Sequence, residues 1–530
     1  MRKRGEYGIL ILAIFFFFAF FGVSLNFLSL SQKREYVRTA ADSAYVTIHA
    51  GESGGTIYDR NFQPFVNTEK RIAAVAVPSE NSLEKLLQLG VDRDFIKREY
   101  EKGQPFAFEC VRKGDENEGL TFFEIPERYG EKISAPHIIG YISDGKGVSG
   151  LEYAYNKILR AGYTENSVTY STDGHGNILI GGGKSVMRST KDKSGVVTTL
   201  DSEIQAICEK AGSSLEKGAI VVSDVKNGDI LGMASFPQYD MNNLSAAFED
   251  ENCPMINRCL YSFSVGSIFK LITACEGIDE DLSGFMCNCG GEFSMGELTF
   301  GCHNRSGHGT QNMKEAMTNS CNPYFISLSQ CLDMSKYRSL AYNMGFGREI
   351  HLASGIISSA GVLPSVEELR VSAELANFSF GQGKLTATPL QINQMTCAIA
   401  NGGKLRLLRL IRGITIDGET VSNEKSALSS RVISEETAGE LRKMMIGAIY
   451  DNENSKAAPQ YVRAGAKTST AQTGVFDENG EELCHGWITG FFPASNPRYA
   501  VTVLAEHGGY GNDSAAPIFK EIVDEMMNRK

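Results

Sequence analysis

Three short stretches of this sequence carry residue types that could make and break a covalent bond. The first is Ser264-Val265-Gly266-Ser267-Ile268-Phe269-Lys270, followed by Leu271-Ile272-Thr273-Ala274. A helix that is apolar nearly all round is a buried helix. The pattern predicts Ser267 in its first turn and Lys270 on the same face, three residues on. Unpaired N–H groups and the dipole at that end favour developing negative charge. A lysine in apolar surroundings loses its proton more easily, and could then accept the serine proton. The second stretch, Thr318-Asn319-Ser320-Cys321-Asn322, puts a hydroxyl and a carboxamide two residues apart before another apolar helix. The third, Ala466-Lys467-Thr468-Ser469-Thr470, offers a cation and three hydroxyls on a β-prone segment. Each has an ordinary explanation alone. Ser-x-x-Lys also begins at Ser82, Ser143, Ser214, Ser223 and Ser422. Ser and Asn are favoured helix N-caps, and a lysine commonly guards an edge strand. All three together, in this order, call for one shared chemistry.

Ser-x-x-Lys, then Ser-x-Asn, then a Lys-Thr-Gly-like element resembles the signature of penicillin-recognising serine transferases and hydrolases. Over nearly its whole length the sequence resembles class B penicillin-binding proteins, the cell-wall transpeptidases. Gly55-Thr56-Ile57-Tyr58-Asp59-Arg60-Asn61 is similar to the strand that opens that family's pedestal domain. Pro136-His137-Ile138-Ile139-Gly140-Tyr141, Gly147-Val148-Ser149-Gly150-Leu151-Glu152 and Gly381-Gln382-Gly383 also resemble family segments. So do Thr388-Pro389-Leu390-Gln391 and Gly486-Trp487-Ile488-Thr489-Gly490.

The resemblance implies a two-step acyl transfer. Ser267 would attack the carbonyl between the two terminal D-alanines of a peptidoglycan stem peptide, Lys270 taking its proton. Ser320 would relay a proton with Lys270 and Lys467, and Asn322 would hold the peptide amide and orient Lys270. Lys467, Thr468, Ser469 and Thr470 would form the substrate-binding strand that receives the carboxylate. Backbone N–H groups of Ser267 and Thr470 would be the oxyanion hole. An amine of a neighbouring stem peptide would complete the cross-link, and a β-lactam would trap Ser267. No cofactor is implied. The departure is Ser469, where the family usually has glycine; its hydroxymethyl group either narrows the strand edge or adds a hydrogen bond. Two alternatives stay open: a D,D-carboxypeptidase or β-lactamase on the same fold, and a catalytically weak scaffold or β-lactam sensor.

The elements that must position these residues follow from the rest of the 530-residue chain. Gly8–Leu30 is an uncharged apolar run of 23 residues, long enough to cross a hydrocarbon core of about 30 Å. Arg2, Lys3 and Arg4 precede it, which puts residues 1–7 in the cytoplasm by the positive-inside rule. The reading is a single-pass plasma-membrane anchor over 8–30 with an extracytoplasmic remainder. Residues 31–50 are predicted as a juxtamembrane helix, and Pro78-Ser79 as the start of another with Leu83, Leu86, Leu87 and Leu89 on its apolar face. Lys226-Asn227-Gly228-Asp229 between Ile220–Ser223 and Ile230–Ala234 is a hairpin signal. The main boundary falls near Lys193-Ser194-Gly195, giving a pedestal over 31–193 and a transpeptidase domain over 194–530. Mixed helices and hairpins there predict an α+β fold, and the resemblance specifies the penicillin-binding serine transpeptidase fold, an antiparallel sheet flanked by helices.

Acidic residues outnumber basic ones, 63 to 52, which argues against a nucleic-acid partner. The family resemblance suggests instead a glycan polymerase of the shape, elongation, division and sporulation (SEDS) type, contacted through anchor and pedestal. By residue type, Cys287-x-Cys289 with Cys302-His303 could hold zinc. A Cys289–Cys302 disulfide is the preferred reading of that hairpin, and no metal is assigned.

Overall fold

A computed structural model describes residues 2–131, 134–161, 164–173, 177–179, 181, 183–188, 193–422 and 428–529. The chain resolves into two compact units. One comprises residues 1–54, 69–127 and 163–192, and the larger 55–68, 128–162 and 193–530. Segments 55–68 and 128–162, read from sequence as pedestal, therefore cluster with the larger unit. The reason is pairing: Thr56–Tyr58 lies parallel to Gly195–Thr198. Buried Glu152 is met by Arg128, whose guanidinium also donates to the Gly55 carbonyl.

The smaller unit begins with helix α1 (Arg2–Ser43). Its Ile11–Ser31 stretch is long and apolar enough to cross a membrane, and none of it is buried. The helix stops before the predicted 31–50 limit. Tyr45–Ser53 is a strand, paired with Thr164–Ser171, because Tyr45-Val46-Thr47-Ile48 combines aromatic and β-branched residues that suit a pleated surface. A second sheet pairs Glu69–Ala76 with Phe106–Cys110 and Leu120–Glu127. The helix expected after Pro78 spans Glu80–Gln88, with Ser79 and Ser82 forming a reciprocal cap. Leu86 is fully buried, whereas Leu83 and Leu87 are exposed.

In the larger unit, strands β1 (Gly218–Asp224) and β2 (Ile230–Phe236) form the expected hairpin, and Gly228 adopts the positive φ its turn requires. Downstream come helix α2 (Lys270–Asp279), strands β3 (Cys287–Cys289), β4 (Glu292–Met295), β5 (Leu298–Gly301) and β6 (Gly309–Gln311), and helix α3 (Asn322–Ser329). Then follow α4 (Pro389–Ala400), β7 (Gly465–Phe476), β8 (Glu482–Phe492), β9 (Tyr499–Ala505) and α5 (Ala516–Met527). The central sheet is antiparallel with order β2-β1-β9-β8-β7. Alternation builds a core on each face. Ala219, Val221, Trp487 and Leu504 pack with α2 and α4. Ile220, Val222, Ile488 and Val503 pack with α5 and helix Ser202–Ala211. Every residue of α4 is buried, and its polar groups are paired inside the core. Asn393 donates to the Val221 carbonyl at 3.1 Å, and Thr396 meets Thr489 at 2.7 Å. This rigid frame leaves β7 at the sheet edge, the place the site needs it.

Candidate active site

The turn that carries Ser267 is clamped from three directions. Gly266 has φ +62°, and its N–H donates to the Gly381 carbonyl at 2.7 Å. The Ser469 hydroxyl donates to the Val265 carbonyl at 2.8 Å, and the Trp487 indole N–H to Ser264 at 3.0 Å. A Cβ on Gly381 would lie 2.1 Å from the Gly266 oxygen, so only glycine fits that approach. Ser267, half-buried, occupies the short 3-10 turn Gly266–Phe269 that runs into α2.

Lys270 is completely buried at the start of α2. Its Nζ donates to the Ser320 carbonyl at 2.6 Å, the Ser320 hydroxyl at 3.2 Å and Asn322 Oδ1 at 2.7 Å. Lys467 reaches the same hydroxyl from β7, at 3.1 Å, and also donates to the Thr468 carbonyl at 2.9 Å. Ser320 thus stands between two lysine amines. Its backbone has φ +49°, a left-handed conformation costing a non-glycine residue about 1–2 kcal/mol. That cost is offset because both its oxygens meet Lys270. Burial, and then the neighbouring charge of Lys467, hold the Lys270 amine well below its ordinary range. Burial alone pushes Lys467 down to about 8. A lysine so buried is easier to deprotonate than one in water.

The third stretch divides by strand alternation. Lys467 and Ser469 are buried, whereas Thr468 and Thr470 are half-buried on the other face. Ser469 does not open toward a substrate; its hydroxyl is spent on Val265. Of the two readings of this departure from glycine, the geometry gives the hydrogen bond. The Thr470 hydroxyl accepts from the Gly511 N–H at 3.2 Å. Asn322 accepts from Lys270 while its Nδ2 donates to the Gly301 carbonyl at 2.9 Å, so holding a substrate amide would fall to its second N–H. Lys270, Ser320, Asn322 and Lys467 form one connected network. Thr468 joins it through its carbonyl, and Ser469 braces the turn that carries Ser267. Gly381 and Trp487 were legible only as parts of segments; their clamping role depends on contacts across more than 100 residues.

All twelve cysteines are free thiols, so the expected Cys289–Cys302 disulfide is not formed. Cys289, Cys302, His308 and Cys321 instead converge on one point, with their ligand atoms all within 4.8 Å of one another.

Comparison with known proteins fits this geometry. Residues 218–524 match the model of the penicillin binding protein transpeptidase domain. The chain belongs to that family, and within it to the class B penicillin-binding proteins. It is 28% identical over 512 residues to stage V sporulation protein D of Bacillus subtilis, covering 91% of this chain and 76% of that one. It is 26% identical over 466 residues to the peptidoglycan D,D-transpeptidase MrdA of Haemophilus influenzae, covering 77% and 70%. In fold it is similar to a D,D-transpeptidase domain from Eggerthella lenta (TM-score 0.65, 23% identity, 90% and 99% covered). It also resembles penicillin-binding protein 3 of Mycobacterium tuberculosis complexed with aztreonam (TM-score 0.65, 22% identity, 91% and 97% covered).

Proposed function

We propose that the chain is a peptidoglycan D,D-transpeptidase that works through an acyl-enzyme on Ser267. The observation that carries this is the doubly held Ser320 hydroxyl, linking a buried, easily deprotonated Lys270 to a charged Lys467 beside the nucleophile turn. An extended stem peptide would add along the edge strand β7, its backbone pairing as a further strand. Its terminal carboxylate would meet Lys467, with the hydroxyls of Thr468 and Thr470 along the same strand. Ser267 Oγ would attack the carbonyl of the penultimate D-alanine, passing its proton to Lys270. The N–H groups of Ser267 and Thr470 would stabilise the tetrahedral oxyanion. The C–N bond would then break, and the departing D-alanine amine would take the proton held on Lys270, relayed through the Ser320 hydroxyl beside Lys467. The amine of a second stem peptide would attack the ester carbonyl and lose a proton to the again neutral Lys270, which would return it to Ser267 Oγ as the C–O bond breaks. A β-lactam would enter by the same first step and remain as an ester.

The apolar part of α1 would be a single-pass plasma-membrane anchor, with the catalytic unit on the extracytoplasmic side. Arg2, Lys3 and Arg4 ahead of the apolar run support that orientation. The smaller unit would serve as pedestal, and with the anchor would contact a SEDS-type glycan polymerase. Incubation with fluorescent penicillin tests the catalytic reading. A stable one-to-one adduct is expected, absent in Ser267→Ala. Steady release of hydrolysed β-lactam would instead identify a hydrolase.

A further inference from the structure

The segment between α2 and α3 presents a problem of stability. Residues 287–311 fold as two small two-stranded sheets, β3 with β6 and β4 with β5. The buried side chains in that span are Cys289, Cys302 and Gln311. Phe293, Met295 and Phe300 are only half-buried. An excursion of this kind has too little apolar burial to order itself, a shortfall that small folds often meet with a metal or a cross-link. Its two buried cysteines face Cys321, also fully buried, and His308.

We infer that Cys289, Cys302, His308 and Cys321 form a structural zinc site that fastens this excursion to the Ser-x-Asn motif. Three thiolates and one imidazole are a preferred zinc donor set. Zn–S bonds of about 2.3 Å and Zn–N bonds of about 2.0 Å put tetrahedral ligand atoms roughly 3.5–3.8 Å apart. Cys302 Sγ and His308 Nδ1 are already 3.6 Å apart. A disulfide would use two of the thiols and leave the third thiol and the imidazole beside it unexplained. The backbone is shaped for the closure. The Cys302 N–H donates to the Gly291 carbonyl at 2.9 Å, and the His308 N–H to the Cys289 carbonyl at 3.0 Å. Gly307 has φ +81°, and a Cβ there would lie 2.3 Å from the Cys289 oxygen. The four-residue set differs from the one the local spacing suggested. Cys287 contacts Ser327 and Pro323 instead, and the fourth ligand comes from the motif itself.

Binding would release the three thiol protons to solvent and leave a centre of net charge −1. With four protein ligands the coordination sphere is closed, so the metal's work is positional. Cys321 sits between Ser320 and Asn322, and Asn322 donates to the carbonyl of Gly301, the residue before Cys302. The metal would thereby hold Ser320 and Asn322, the two residues that accept from Lys270, from behind.

The test uses the full chain purified in detergent without chelator. Elemental analysis by mass spectrometry is expected to find about one zinc per chain, as a closed four-ligand site requires. Cobalt exchanged into the site is expected to show a thiolate-to-cobalt charge-transfer band and the intense d–d bands of a tetrahedral centre. His308→Ala should lose metal and weaken those bands, and His308→Cys should restore both. If His308→Ala does not fold, the metal content and cobalt spectrum of the unaltered chain still decide. Chelation should slow penicillin acylation several-fold, and added zinc should restore it. A folded, metal-free chain that acylates at the full rate would overturn the inference, as would a disulfide between any two of Cys289, Cys302 and Cys321. Zinc bound with the expected cobalt spectrum but no acylation would instead count against the transpeptidase reading while leaving the metal site in place.

Discussion

The Ser320–Asn322 motif is approached from two sides by regions held in different ways. On one side, the turn and helix from Ser264 to Asp279 are fixed by dense apolar burial, with Ile268, Phe269, Leu271 and Ile272 fully inside and the clamps from Gly381, Ser469 and Trp487 around them. On the other, residues 287–311 have little core and a convergence of thiols and imidazole. The first region is held by its own core; the second, on our reading, is completed by a metal. Ser267 and Lys270 sit where the fold is self-sufficient, and Ser320 and Asn322, which accept from Lys270, adjoin the part that is not.

The largest expected effect breaks the self-sufficient side. Lys270→Met keeps the volume and removes the base, and should slow acylation by labelled penicillin roughly 10²–10⁴-fold, the usual worth of a positioned base. Far-UV dichroism should be unchanged. Leu86→Ala, in the smaller unit, should cost about 2–5 kcal/mol of that unit's stability and leave acylation alone. Denaturant unfolding read alongside acylation would separate the two.

The pH profile sharpens the distinction between the two lysines. Lys467 is pushed down to about 8, so its charge is lost above that pH, and acylation of anionic β-lactams should fall there through weaker binding. Lys467→Arg, which stays protonated, should move that limb to higher pH. The stability effect has the opposite sign. A lysine with a lowered folded pKa burdens the fold below about pH 8, and the burden is relieved as pH rises toward the unfolded value of 10.5. The smallest effect is Ser469→Gly, which removes one hydrogen bond from the nucleophile turn. It should lower stability by about 1 kcal/mol, readable as a modest drop in melting temperature.

Much of the site could be read from sequence because its chemistry is local. Ser267 with Lys270 and Ser320 with Asn322 are set by helix starts, and Lys226–Asp229 by turn preference. Long-range facts were hidden. Nothing near Gly55 or Arg128 announces that they join the larger unit, since that depends on pairing with Gly195–Thr198 and on buried Glu152. Tyr45–Ser53 was lost to the helix beside it because strand pairing partners lie over 100 residues away. The cysteines misled for the same reason: local spacing offered Cys287 and His303, whereas folding supplies His308 and Cys321.

In the proposed mechanism Ser267 is the residue that becomes acylated. Peptide mapping of the full chain after reaction with labelled penicillin tests it most directly. A single adduct is expected on the peptide containing Ser267, lost in Ser267→Ala with the fold intact. An adduct on another residue, or a folded, zinc-loaded chain that never reacts, would contradict it.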